Sequence, residues 1–155
     1  MKKFIKPFFF GIIAALGALF LELILYLIFP EQETQINYYN KITLFLFLVV
    51  AIEEAFKVLL VYKNSEDFSN ENDIFISSFF IGAGFALAEL FLKDLGSKLF
   101  SIGNLNIFLL HILTAGLAGY LLSKQRSPRK SYLAKIWFLV FLVHLSYNLL
   151  AIYIF

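Results

Sequence analysis

Val49-Val50-Ala51-Ile52-Glu53-Glu54-Ala55-Phe56-Lys57-Val58-Leu59-Leu60 places two adjacent carboxylates and a lysine inside an apolar run long enough to cross a bilayer. Near the centre of a membrane helix each such charge costs roughly 2.5–3.5 kcal/mol on insertion scales. Three of them in one helix need partners, a water-filled cavity or a chemical task. Later apolar segments supply candidate partners in Glu89, His111, His144 and Asn148. The reading that follows is a small polar chamber inside a bundle of membrane helices.

Composition supports a membrane setting. Of 155 residues, 61% are hydrophobic, only 15% are charged and 20 are Phe. A soluble domain runs nearer 45–50% apolar and about 25% charged. The mean hydropathy of +0.82 comes from long apolar blocks rather than scattered residues. The fold class expected is therefore all-α, a single polytopic membrane domain over residues 1–155. A net charge of +2, with its basic residues spread between apolar blocks, gives no nucleic-acid signal. The absence of cysteine excludes disulfides, thiolate metal sites and a cysteine nucleophile.

Five spans emerge, at about 7–29, 42–62, 74–92, 105–123 and 136–155. Lys2, Lys3 and Lys6 precede the first, whose apolar run outlasts a signal-peptide core and lacks a small-residue cleavage site. It reads as an uncleaved signal anchor. Pro7 suits a first helical turn, and Gly11, Ala14, Ala15 and Ala18 form a small-residue face for close helix contact. The polar linker 63–73 supplies Asn72 and Asp73 as caps for the third helix. A short interfacial helix is expected at Leu95–Phe100. Lysine and arginine collect on the cytoplasmic side of membranes. The basic N-terminus and the basic 124–135 loop fall on one side of five alternating spans. This predicts N-terminus in, C-terminus out, in a prokaryotic cytoplasmic membrane; the sequence carries no signal of oligomeric state.

Helical spacing organises the polar residues. Glu53 and Lys57 are i,i+4, and Glu54 and Lys57 are i,i+3, so either glutamate reaches the lysine. Two carboxylates crowded in low dielectric favour sharing one proton, which supplies a base and an acid. Glu89 shares a stripe with Phe85 and Gly82. His111 shares one with Thr114, Ala115 and Ala118, and His144 and Asn148 are i,i+4. At ~1.5 Å per residue these groups fall at compatible depths. Other features have structural readings. Gly82, Gly84, Gly116 and Gly119 are packing residues, and Glu22 in the first span pairs or hydrogen-bonds across helices. The Phe and Leu stripes face lipid or core, and the basic fourth loop sets topology and touches anionic lipid.

Four motifs then stand in order: Glu53-Glu54-Ala55-Phe56-Lys57 (EExxK), Phe85-Ala86-Leu87-Ala88-Glu89 (FxxxE), the small-residue helix opened by His111, and His144-Leu145-Ser146-Tyr147-Asn148 (HxxxN). Over roughly Ala51 to Leu150 the chain resembles the PrsW family of intramembrane proteases, and more distantly the CAAX- and bacteriocin-processing (CPBP, Abi) membrane proteases. PrsW-like proteins generally have more spans, and their third-helix glutamate is often followed by Asn where this chain has Leu90. The CAAX type tends to carry Arg after the glutamate pair and His in place of Glu89; Lys57 and Glu89 favour the PrsW side.

The resemblance implies hydrolysis of a membrane-anchored protein or peptide, with Glu53, Glu54, Lys57, Glu89, His111, His144 and Asn148 as the catalytic set. Glu53 or Glu54 would activate a water, assisted by His111 or His144. His144 and Asn148 would donate to the oxyanion, Lys57 would set the protonation of the pair, and Glu89 would orient a histidine or the water. A metal-free mechanism is favoured. The alternative is zinc, held by residues from Glu54, Glu89, His111 and His144. PrsW-like enzymes are associated with first-site cleavage of membrane-spanning anti-sigma factors, an analogy for this chain. Two rival readings are a non-catalytic membrane binding or scaffold module of the same fold, and a small proton or ion transporter. The transporter reading lacks the paired repeats and interrupted helices such proteins show.

Overall fold

The computed structural model describes residues 2–29, 44–93, 102–125 and 128–154. These form five α-helices: α1 Lys2–Ile28, α2 Leu44–Ser65, α3 Glu71–Lys93, α4 Ile102–Ser123 and α5 Lys130–Ile154. There is no strand among the described residues. The protein is thus an all-helical, polytopic bundle. The interfacial helix expected at Leu95–Phe100 lies outside the described residues, as does most of the linker after α1.

A helix lies over each of the five apolar runs, and several helices run on past them. α1 starts five residues before Pro7, and α5 starts at Lys130 rather than near Ile136. The apolar run measures the bilayer; the backbone hydrogen bonds continue past it into polar surroundings. The cap of α3 lies two residues before the earlier of the two expected positions. Asn70, not Asn72 or Asp73, accepts the backbone N–H of Asn72 on its side-chain oxygen at 3.0 Å. That bond satisfies one of the unpaired donors of the first turn.

Four helices, α1, α3, α4 and α5, are long and apolar enough to cross a membrane. α2 is 22 residues long but carries Glu53, Glu54, Lys57 and Lys63. Its position accounts for this composition. α2 packs against all four other helices, and Glu53, Glu54 and Lys57 point into the bundle, buried.

Ion pairs at one end show the up-and-down course. Lys3 pairs with Asp73, Lys6 with Asp67 at 2.7 Å, and Lys124 with Glu71 at 2.9 Å. The start of α1, the α2–α3 linker and the end of α4 therefore share one rim. Lys63 pairs with Glu66 on the same rim. Lys63 and Lys124 donate to the Glu66 and Glu71 carboxylates, and these hydrogen bonds raise both above the ordinary lysine value.

Lipid tails are as apolar as leucine, so membrane helices associate through close packing rather than through expulsion of water from apolar surface. α3 is gripped on both sides in this way. A Cβ on Gly84 would lie 2.0 Å from the Phe8 carbonyl oxygen of α1, and one on Gly11 would lie 2.0 Å from that of Ile81. Ala14, Ala15 and Ala18 of α1 are fully buried beside Phe85. On the other side, a Cβ on Gly82 would lie 2.5 Å from the His111 carbonyl oxygen of α4. α5 is tied in by two side chains. The Trp137 indole N–H donates to the Ala51 carbonyl of α2 at 3.0 Å, and the Tyr132 hydroxyl donates to Leu121 of α4 at 3.1 Å.

Candidate active site

The charges of α2 meet one acidic side chain from α3 and one histidine each from α4 and α5. Glu53, Glu54, Lys57, Glu89, His111 and His144 are all buried. Six of the seven residues singled out in the sequence therefore converge. The seventh, Asn148, is half-buried one turn beyond His144 and is not among the side chains of the network described next.

Lys57 is at its centre. The side-chain nitrogen donates to Glu54 Oε1, to His111 Nδ1 at 2.9 Å and to Thr114 Oγ1 at 2.9 Å. The Phe85 ring closes a fourth side, with its centroid 5.0 Å from Nζ. An ammonium has three donors and no lone pair, so all its hydrogen-bonding capacity is used within the protein. Spacing left open whether Lys57 pairs with Glu53 or Glu54. In the structure it is Glu54, whose side chain is wholly buried, as is that of Lys57.

The bonding partners assign the imidazole tautomers. Because Lys57 donates to His111 Nδ1, that nitrogen accepts, and the ring proton sits on Nε2, which faces Glu89 Oε2. His144 is arranged in the opposite sense. Its Nδ1 lies 2.6 Å from Glu54 Oε1 and carries the proton. Its Nε2 keeps a lone pair and lies 3.7 Å from Glu53 Oε2. The two rings stand edge to face with centroids 5.1 Å apart. Glu54 Oε2, buried, has no hydrogen-bond partner among the described residues.

The two glutamates are thus different in kind. Glu54 is an anchor that receives Lys57 and His144 on one oxygen. Glu53 stands beside the lone-pair nitrogen of His144. Thr114 was visible in the sequence only as a neighbour of His111 on one stripe. Its contact with Lys57 had no signal there, because it joins residues 57 positions apart on two helices.

Part of the cluster also has the composition of a metal site. The ligand set drawn from sequence was Glu54, Glu89, His111 and His144; the group that comes together is Glu53, His111 and His144, with ligand atoms within 4.8 Å of one another. Glu54 instead holds Lys57. Zinc takes nitrogen and oxygen ligands at about 2.0–2.2 Å. His144 and Glu53 suit it, since a carboxylate already holds the far nitrogen of His144, the usual support of a metal-bound histidine. His111 fits in position, and its Nε2 would have to give up the proton it presents to Glu89.

A family model described as PrsW family intramembrane metalloprotease matches residues 2–155, nearly the whole chain. No curated protein and no solved structure matches the chain.

Proposed function

Taking as premise that the chain belongs to the PrsW family of intramembrane proteases, we propose that the cluster between α2 and α5 is its hydrolytic centre and that Glu53 is the general base. The substrate is a membrane-anchored protein or peptide. The observation that carries this reading is the pairing of Glu53 Oε2 with the lone-pair nitrogen of His144 across 3.7 Å. Two acceptors at that separation are too far apart for a direct hydrogen bond and close enough for one water to donate to both. A water bound in this way has its oxygen lone pairs free to attack a peptide carbonyl. As the carbon–oxygen bond forms, a water proton passes to Glu53 or to His144 Nε2. The same proton then goes to the amide nitrogen as the carbon–nitrogen bond breaks. Asn148, on the His144 face of α5, is the proposed donor to the oxyanion. Lys57 does not reach the substrate in this scheme; it holds Glu54 and His111 in place.

The metal-free form is favoured because His111 presents a proton, not a lone pair, towards Glu89. A second reading has its own support in the converging ligand atoms of Glu53, His111 and His144 and in the description of the family as metalloproteases. Those three residues would hold zinc, which would polarise the scissile carbonyl and acidify a bound water. Glu89 then keeps its place beside His111 as the acceptor for a displaced proton. Each of the five helices runs unbroken, which favours either protease form over a transporter built on discontinuous helices. The chain is read as one domain over residues 1–155, with the basic rim and the N-terminus in the cytoplasm.

The test compares membrane-protein fragments in cells carrying the wild type or Glu53→Gln at matched abundance. A defined fragment made by the wild type and lost in the variant is the expected result; identical patterns would overturn the assignment of Glu53. Chelation of the purified protein separates the two forms. Cleavage that survives removal of zinc, checked by elemental analysis, supports the glutamate-activated water. Cleavage lost on removal and restored by added zinc supports the metal.

A further inference from the structure

Lys57 has three donors, and the third goes to a residue that is not among the seven of the expected catalytic set. Thr114 is wholly buried on α4. Its Oγ1 accepts from Lys57 Nζ at 2.9 Å, and its hydroxyl is 3.4 Å from the His111 carbonyl one turn back, the acceptor for its own proton. The hydroxyl is therefore oriented by its own helix before it meets the lysine. Two of the acceptors of Lys57, Thr114 and His111, lie on α4, and the third, Glu54, is on its own helix α2. Remove the hydroxyl and one N–H of a buried ammonium is left without an acceptor. The long lysine side chain then has to rotate to find another, and its approach to His111 Nδ1 is no longer fixed.

We propose that Thr114 is a positioning residue that fixes the tautomer of His111 through Lys57. The chain of contacts is Thr114 Oγ1 to Lys57 Nζ to His111 Nδ1, and it determines that His111 turns an N–H, rather than a lone pair, towards Glu89 and the chamber. Thr114 touches no reacting atom. Its role in turnover rests on the hydrolytic reading above, and its effect on the imidazole does not.

The chain has only two histidines, so nitrogen-15 labelling of histidine gives four ring signals in the purified protein. The wild type is expected to show one ring protonated at Nε2 and one protonated at Nδ1. Thr114→Val keeps the shape and removes the hydroxyl. It should mix the tautomers of one ring, assigned to His111 by its loss in His111→Gln, and leave the other ring as it was. Cleavage should fall about 10- to 100-fold in kcat, with KM changed less than about 3-fold. Thr114→Ser restores the hydroxyl and should return both the spectrum and kcat to within about 3-fold of wild type. A Thr114→Val protein that stays folded with an unchanged His111 spectrum overturns the proposal. So does a Thr114→Ser protein whose His111 spectrum is as disturbed as that of Thr114→Val, since the hydroxyl would then not suffice to fix the ring. A shifted spectrum in a protein that cleaves nothing supports the role of Thr114 and counts against the hydrolytic reading alone.

Discussion

The protein makes the same chemical pair, lysine with carboxylate, in two places that have little else in common. At the rim, Lys6 and Asp67 meet with side chains 58% and 45% exposed; in the bundle, Lys57 and Glu54 meet with both at 0%. Exposed pairs trade one set of water contacts for another and are screened by salt, so they contribute little. The buried pair has no water to fall back on. Its net value against an apolar replacement is modest, yet losing one partner leaves a charge stranded in low dielectric. The rim pairs therefore only mark which helix ends lie together, while the buried pair constrains the site: every remaining donor of Lys57 needs an acceptor, and finding them orders His111 and Thr114.

The largest effect that would break this comparison is expected at Lys57. Lys57→Met leaves Glu54 without its cation and should destabilise the folded protein by about 3–5 kcal/mol, read as a lowered unfolding midpoint in detergent. The double variant Glu54→Gln/Lys57→Met should be less destabilised than the sum of the two single variants, because the stranded charge is gone. Additive losses would mean that the pair is not coupled, and the contrast with the rim would collapse. Next in size is the close packing that brings the site helices together. Gly84→Ala drives a Cβ against the Phe8 backbone of α1 and should cost about 1–3 kcal/mol, measured by the same melt. An unchanged midpoint would show that α1 and α3 separate easily. Trp137→Phe removes one donor between α5 and α2 and should cost about 1 kcal/mol, with cleavage reduced if α5 shifts His144. Glu53→Gln should leave the melt within about 1 kcal/mol of wild type while abolishing cleavage, because Glu53 is not among the groups that hold Lys57.

The smallest effects belong to the rim. Lys6→Gln should move the midpoint by about 2 °C or less, and raising salt should shrink even that difference. The pH dependence there has a definite sign. Lys63 and Lys124 are raised above 10.5 in the folded state, so whatever they contribute is fully present below pH 10.5 and is lost as pH climbs through the raised value. Melts between pH 6 and 9 should therefore show no change arising from these two lysines.

Much of this was legible in the chain itself. Five apolar runs of bilayer length, with basic residues at alternate turns, specify five helices running up and down, because a membrane tolerates little else. The small residues Gly11, Ala14, Ala15 and Ala18 marked a packing face, and burial of all four bears that out. Charges at Glu53, Glu54 and Lys57 marked the second span as one that needs partners inside the bundle, and the structure meets that need by packing α2 against all four other helices. The helix ends were less legible. Hydropathy reports where the bilayer stops and not where backbone hydrogen bonding stops, and the Asn70 cap competed with equally suitable residues at 72 and 73.

What the sequence determined by itself is the set of helices and the short roster of polar groups that must find one another inside them. What only the tertiary structure decided is who holds whom. Spacing on a single helix let Lys57 reach either glutamate; the positions of His111 and Thr114 on α4 and His144 on α5 made Glu54 the anchor and left Glu53 beside a lone-pair nitrogen. The physical reason is that a buried donor accepts only a partner at hydrogen-bond distance and angle. Such partners come from helices 54 to 90 residues away along the chain, where no local periodicity records them.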